Sequence, residues 1–510
     1  MSTTKVPSPT SRLRLGHARV DITPPVGIYH RLWGAARHDR ATGVHCPLFA
    51  DVLALAPLSE EGDAGRPQLV RAFLDLAGLV QSQHRDAVAA LAAGAGTRPE
   101  QVVLTYSHTH SSGWFVPDRI PLPGGELILP YLAGLYDRLR EAGQQASAAL
   151  RETTITYATA HSAMGASRDY HDQDGGIYAC GYNPDEPADD TVTLARFTDA
   201  AGHLTGTLVH YACHPTTLAW ENSLISPDYP GALRKTVERV TGAPCVFAQG
   251  ACGDIGPRRG FTGDVSVADR NGEQVAFAAL AALTSMGLPQ TDLSYGGPVV
   301  SGATLGTWRD APHSDASRLK ETQVFEGGAF TVDLPIKPRP DRQALSDEMV
   351  GLEVAEREAG ARGDTVTARD AGARIERARR WLARLDDLPT GETFPLQCTS
   401  YRLGDAVWVA SGGEPYSAIQ TELRKRFPST TIVFSPLMGD LQVAYLLTRE
   451  KYGTGLYQEE PSILAPGCLE LLTEALVDQI TRQGAVTSMS GRSAPASRDS
   501  ELSPPGAQRY

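Results

Sequence analysis

Residues Leu104–Trp114 read LTYSHTHSSGW. An apolar, β-branched run ends in His108 and His110, two positions apart, and on a strand that spacing points both imidazoles to one face. Two other runs end in the same manner. VHYACHPTTL, Val209–Leu218, carries His210 and His214, with Pro215 closing the run, and ASGGEPYS, Ala410–Ser417, sets Glu414 behind a glycine pair that follows AVWVA. Strand ends that deliver imidazole and carboxylate groups into loops are how zinc sites with nitrogen and oxygen ligands are assembled. Taken singly, each motif has a plainer reading: a lone H-x-H is weak, Glu414 is equally suited to capping the next helix, and His210 reads as a core histidine.

Outward from these motifs the chain alternates strand-like and helix-like runs. HARVDITPP, LFADVLALA and QLVRAFLDLAGL are followed by a helix in SQHRDAVAALAAGAG; TTITYATAH and TVTLARFTDAAGHLTGTLVHY are strands with a DAAG turn; SPDYPGALRKTVERVTG opens a helix; and APCVFAQGACGD is a strand running into a glycine turn. The fold class expected is α/β, in mixed α+β layers. Residues 341–388 are charge-rich with apolar residues at helical spacing and a break at ARGD, which predicts an inserted helical hairpin whose charges form a solvated face. Residues 1–12 read as a disordered lead-in and 485–510 as a disordered tail, leaving 13–484 as the folded unit.

Composition narrows the function classes. Of 510 residues 41% are hydrophobic, yet no run has the length of a membrane span, and nothing at the N-terminus resembles a secretory signal, so a cytoplasmic protein is expected. The net charge of −12, without a basic stripe, argues against nucleic acid as a partner. Seven cysteines, an odd number with no C-x-x-C, read as buried thiols. The turn GACGDIGPR, Gly250–Arg258, has the look of a catalytic loop but offers no obvious nucleophile.

The motifs ARVDITPPVG, GVHCPLFADVLAL, VVLTYSHTHSSG, CHPTTL, QGACGDIGP, GGEPY and AYLLTREKYGTGLY, spread from about His17 to Val477, resemble in order and spacing those of the neutral, non-lysosomal ceramidase family. The resemblance implies the catalytic-domain fold of zinc-dependent amidases that cleave the fatty acid from a sphingoid amine. It implies zinc ligands at His108, His214, Glu414 and Tyr445, the last being the first of a tyrosine ladder that continues at Tyr452 and Tyr457. It implies oxyanion donors at His110 and Tyr457, and it places Arg168 along the substrate path, although pairing with Asp169 or Asp172 would also account for that residue.

Where the family carries a serine to which catalysis has been assigned, this chain has Gly256. A side-chain acyl intermediate at that position is therefore excluded, which leaves zinc-bound water as nucleophile and the backbone N–H groups of the Gly253–Gly256 turn as anion binders, with Asp254 fixing the turn. Cys252 and Ser226 are the first candidates for a substitute nucleophile. The family's additional C-terminal immunoglobulin-like domain has no expected counterpart here. The reading that results is a zinc-dependent hydrolase of an N-acyl amide, acting on a small acyl amide or ester other than ceramide. An amide- or ester-forming or cyclising enzyme is the alternative, and a catalytically silent binding protein is the reading from another class. The stretch after His110 and Trp220 are candidates for a pocket wall.

Overall fold

In FADVLALA every second side chain faces the same way, and both faces are buried: Leu53 and Leu55 point into one apolar cluster, Ala50, Val52 and Ala54 into another. A strand with no solvated face must lie in an inner layer. The computed structural model, which describes residues 4–58, 66–385, 387–440 and 442–485, places this strand inside an eight-stranded sheet. In chain order the strands are β1 (Thr10–Asp21), β2 (Phe49–Ala56), β3 (Leu69–Leu74), β4 (Val102–Tyr106), β5 (Arg151–His161), β6 (Thr191–Thr198), β7 (Leu204–Tyr211) and β8 (Cys245–Gln249), and they lie in the order β8-β7-β6-β5-β1-β2-β3-β4. A second sheet of four strands, β9 (Phe325–Pro335), β10 (Thr393–Leu403), β11 (Ala406–Ser411) and β12 (Thr431–Ser435), runs in sequence order.

The two sheets pack face to face through Leu13, Leu55, Phe73, Phe197, Leu208, Tyr401, Trp408 and Val433, among others. Helices cover both outer faces. α1 (Gln81–Ala95) and α2 (Ile128–Ala148) lie over β1–β4, and α3 (Tyr229–Thr241) and α4 (Val265–Ser285) lie over β6–β8. The insertion forms α5 (Arg342–Ala361) and α6 (Thr365–Leu385), while α7 (Ala418–Arg426) and α8 (Cys468–Arg482) cover the smaller sheet. The α/β class and the helical hairpin expected from the sequence are both present.

Most neighbouring strands are antiparallel. Within these two sheets three pairs are parallel, β3 with β4, β7 with β8, and β11 with β12. Each of these pairs is joined by a helix, α1, α3 and α7 respectively, because parallel neighbours need a crossover. The candidate site residues follow the second strand of a pair or lie just beyond the first: His108 after β4, His214 after β7, Gly253 after β8 and Glu414 after β11. Among the described residues, no helix is long and apolar enough to cross a membrane.

Two expectations are corrected. Residues 4–12 are not a disordered lead-in: Lys5 and Val6 pair with Ser294 and Leu293, and β1 begins at Thr10, where the alternation of TSRLRLG already buries Leu13 and Leu15 between the sheets. Of the expected tail, 485–510, Ala485 is buried against the core and 486–510 lie outside the described residues. The charges of the hairpin are not all solvated either. Glu376 on α6 is buried and pairs with the fully buried Arg119 and, at 2.9 Å, with Arg380. The same helix holds two loops of the body, through Arg380 to the Leu32 carbonyl at 2.5 Å and through Arg384 to the carbonyls of Pro461, at 2.8 Å, and Gln442. Charge count alone does not distinguish a solvated face from one docked by guanidinium-to-carbonyl bonds.

Removing the Glu376 carboxylate leaves the buried Arg119 guanidinium with only the more distant Asp118 carboxylate, at 3.4 Å. Glu376→Ala is expected to lower unfolding free energy by about 3–5 kcal/mol in urea denaturation, and the double variant Arg119→Met, Glu376→Leu to recover most of that loss. A single variant of wild-type stability would show that the hairpin docks by other means.

Candidate metal centre

β4 stops at Tyr106, so His108 and His110 are not on a strand at all. His108 adopts a left-handed backbone with φ of 67°, a strained conformation for a side chain without special turn chemistry. The kink brings the two imidazoles together, with ring centroids 4.9 Å apart, although the alternation expected of a strand is not what does it. His214 approaches from the loop after β7, and one ring nitrogen from each of His108, His110 and His214 lies within 4.8 Å of the other two.

The main chain fixes the tautomers of two of these rings. Nδ1 of His108 donates to the Ala77 carbonyl at 2.6 Å, and Nδ1 of His214 donates to the Cys252 carbonyl at 2.6 Å. In a neutral imidazole the other nitrogen then carries only a lone pair. Burial, followed by the nearby Arg168, lowers His214 to about 4, so it is neutral. Both Nε2 atoms face the same oxygen: Glu414 Oε2 lies 3.0 Å from His214 and 3.4 Å from His108. Lone pairs directed at a carboxylate oxygen repel unless a cation lies among them. This donor set fits a divalent metal with nitrogen and oxygen preference.

Tyr445 joins Glu414 through the backbone. The two residues face each other in a short parallel pairing, Glu414–Pro415 against Tyr445–Leu446, and the Glu414 amide donates to the Ala444 carbonyl at 2.7 Å. The Tyr445 ring stands 6.1 Å from that of His214 and 6.0 Å from that of Tyr457. Tyr452 points away, donating to the Leu464 carbonyl at 3.3 Å. Glu414 caps no helix, since α7 begins four residues later. His210 lies outside the group and bonds through Nε2 to the Phe434 carbonyl at 2.7 Å.

His110 is held well below its usual pKa by burial and then by His108 and His214, and its Nε2 has no partner among the described residues. Arg168 pairs with neither Asp169 nor Asp172; its Nε and Nη2 donate to the Gly253 carbonyl at 3.1 and 2.8 Å, and its guanidinium lies 5.4 Å over the Tyr445 ring. The glycine turn is less open than expected. The Gly253 amide donates to the Pro415 carbonyl at 2.9 Å, and Gly256 faces Ala166 in a short antiparallel pair, between bonds from Arg168 to Asp254 and from Arg258 to Met164. Bonds at those alternate positions put Gly256 at a hydrogen-bonded site of the ladder, so neither amide is available to an oxyanion. Asp254 fixes the turn by accepting from the Ser417 amide and hydroxyl at 2.6 and 2.7 Å.

The substitute nucleophiles are also enclosed. Burial pushes the Cys252 thiol far up. Ser226 Oγ is 3.0 Å from His45 Nδ1, whose Nε2 is 3.3 Å from Asp269, which imitates a Ser–His–Asp chain. Ser226 is fully buried, however, and accepts the Asp228 amide at 2.9 Å behind Thr109. Of the expected pocket wall, Phe115 and its neighbours belong to the core under α2, whereas Trp220 sits beside the centre with Trp33 and Phe261. Trp33 and Phe261 had no sequence signal, because loop aromatics carry no periodicity.

The scaffold itself recurs in known proteins. The structure superposes on the crystal structure of neutral ceramidase from Pseudomonas aeruginosa with a TM-score of 0.60 at 18% identity, covering 96% of this chain and 77% of that one. The fold is that of neutral ceramidase. A ceramidase complexed with C2 gives a TM-score of 0.61, again at 18% identity. In sequence, neutral ceramidase from Pseudomonas aeruginosa is 25% identical over 267 residues, a match spanning 48% of this chain and 37% of that protein, and no family model matches. On the neutral ceramidase fold, then, this chain brings three imidazoles and the Glu414 carboxylate together, with the Tyr445 ring 6.1 Å from that of His214.

The two glycines of the turn differ in their tolerance. A Cβ on Gly253 would lie 2.5 Å from the Glu414 carbonyl oxygen, whereas one on Gly256 meets only the Arg168 side chain, at 3.4 Å, and Gly256 has no left-handed backbone. Gly253→Ala is expected to cost about 1–3 kcal/mol and Gly256→Ser less, by urea denaturation. The reverse order would refute the close packing of this turn on Glu414.

Proposed function

We propose that the protein is a zinc-dependent hydrolase that cleaves an N-acyl amide bond with water as nucleophile, on a substrate other than ceramide. The observation that carries this reading is the pair of histidines whose Nδ1 protons are given to carbonyls and whose bare Nε2 atoms converge on Glu414 Oε2. His108, His214, Glu414 and Tyr445 would hold the metal. When bound, zinc supplies a Lewis acid that polarises the acyl carbonyl and lowers the pKa of water.

The chain's own residues account for the rest of the chemistry. His110, with an unpartnered Nε2 beside the donors, and Tyr457, next to Tyr445 and 51% exposed, donate hydrogen bonds to the oxygen that gains charge as the carbonyl becomes tetrahedral. Arg168 holds the Gly253 carbonyl and lies against the Tyr445 ring, keeping the glycine turn and the phenol in register. No side chain at Gly256 accepts an acyl group, and neither Cys252 nor Ser226 reaches the centre as a nucleophile, so hydrolysis proceeds in one displacement rather than through an acyl-enzyme.

Elemental analysis of the purified protein is expected to give about one zinc per chain. His214→Ala is expected to lose it, and His210→Ala to retain it. A metal-free preparation that still hydrolyses amides at the full rate would end this reading. Cys252→Ala and Ser226→Ala are each expected to keep turnover within about tenfold. A loss of ~100-fold with zinc retained, in either variant, would replace water with a side-chain nucleophile.

A further inference from the structure

Beside His110 stand three aromatic rings that belong to none of the apolar cores. Trp33 lies 5.1 Å from the His110 ring, Trp220 6.3 Å and Phe261 5.8 Å from Trp33, and Trp220 and Phe261 stack at 6.4 Å with their planes 19° apart. Aromatic side chains of this size are ordinarily anchored in a core, and their packing on one another next to a polar cluster marks a binding wall. Each ring is held from behind by backbone. Arg380 bonds the Leu32 carbonyl, and the strand-like segment of Phe261 and Thr262 bonds Thr216, Thr217 and Ala219, just past His214. Exposure rises outward from the donors: His214 is fully buried, while Trp220 is 38% exposed. The wall therefore lines the way in.

One atom of the wall indicates what it receives. Trp33 Nε1 is buried and has no hydrogen-bond partner among the described residues, as is true of His110 Nε2 on the adjoining ring. A buried N–H left without an acceptor is costly, and an alkyl chain laid on this wall would leave it so. A flexible chain would also lose more rotamer freedom on flat rings than a rigid plane does. We infer that Trp33, Trp220 and Phe261 receive a planar aromatic group of the substrate next to the scissile bond, and that the Trp33 indole N–H donates to an acceptor atom on that group. The position of the scissile bond rests on the hydrolytic reading above; binding of the ring does not.

Titration calorimetry of the zinc-loaded protein with N-methyl amides of nicotinic, benzoic, cyclohexanecarboxylic and hexanoic acids tests the inference. The nicotinoyl compound is expected to bind about tenfold more tightly than the cyclohexyl one, with the benzoyl compound between them. Trp33→Phe is expected to erase the nicotinoyl–benzoyl difference while keeping the benzoyl–cyclohexyl difference, and Trp220→Leu to reduce the latter. Equal affinities across the four amides, no binding at all, or a preference untouched by both variants would overturn the inference. Hydrolysis of the same amides is scored separately. Ring preference without hydrolysis supports the wall and counts against the proposed reaction, whereas hydrolysis without ring preference supports the reaction and refutes the wall.

Discussion

The structure depends on two main-chain carbonyls, those of Ala77 and Cys252, which take the Nδ1 protons of His108 and His214. These bonds turn two flexible rings into fixed lone-pair donors, and they do so from segments that follow β3 and β8, so sheet geometry is transmitted directly to the centre. Glu414 and Tyr445 are held by an equally local device, a two-residue parallel pairing across a chain separation of 31 residues. Preorganisation of this kind removes the reorganisation that would otherwise accompany charge development at the centre.

Much of this was legible before any coordinates. Runs such as FADVLALA and TVTLARF announce strands by composition, SPDYPGAL announces a helix by its cap, and Asp228 does cap α3. The donors His108, His214 and Glu414 stand out because each follows an apolar run. What failed was reasoning that assumed a regular element beyond its end. His108 and His110 converge because the backbone kinks, not because a strand alternates, and the amides of the glycine turn are consumed by pairings that depend on partners 90 and 162 residues away in the chain. Carbonyl acceptors have no sequence signature at all, since every residue carries one.

Nothing in the local pattern of α6 distinguishes Glu376, Arg380 and Arg384 from the solvated charges around them. Their partners, Arg119 and the carbonyls of Leu32, Pro461 and Gln442, lie in segments brought together only by the tertiary fold. An inner-face guanidinium is well suited to such docking because its several donors can satisfy carbonyls that no regular element claims.

That docking reaches the surroundings of the centre. Among the described residues the hairpin adds nothing to the cluster of His108, His110 and His214, but it grips the loop of Trp33 on one side and the segments flanking Tyr445 and Tyr457 on the other. One helix thus ties together segments that flank the centre on two sides, while the carbonyl-held histidines and the Glu414–Tyr445 pairing make no use of it.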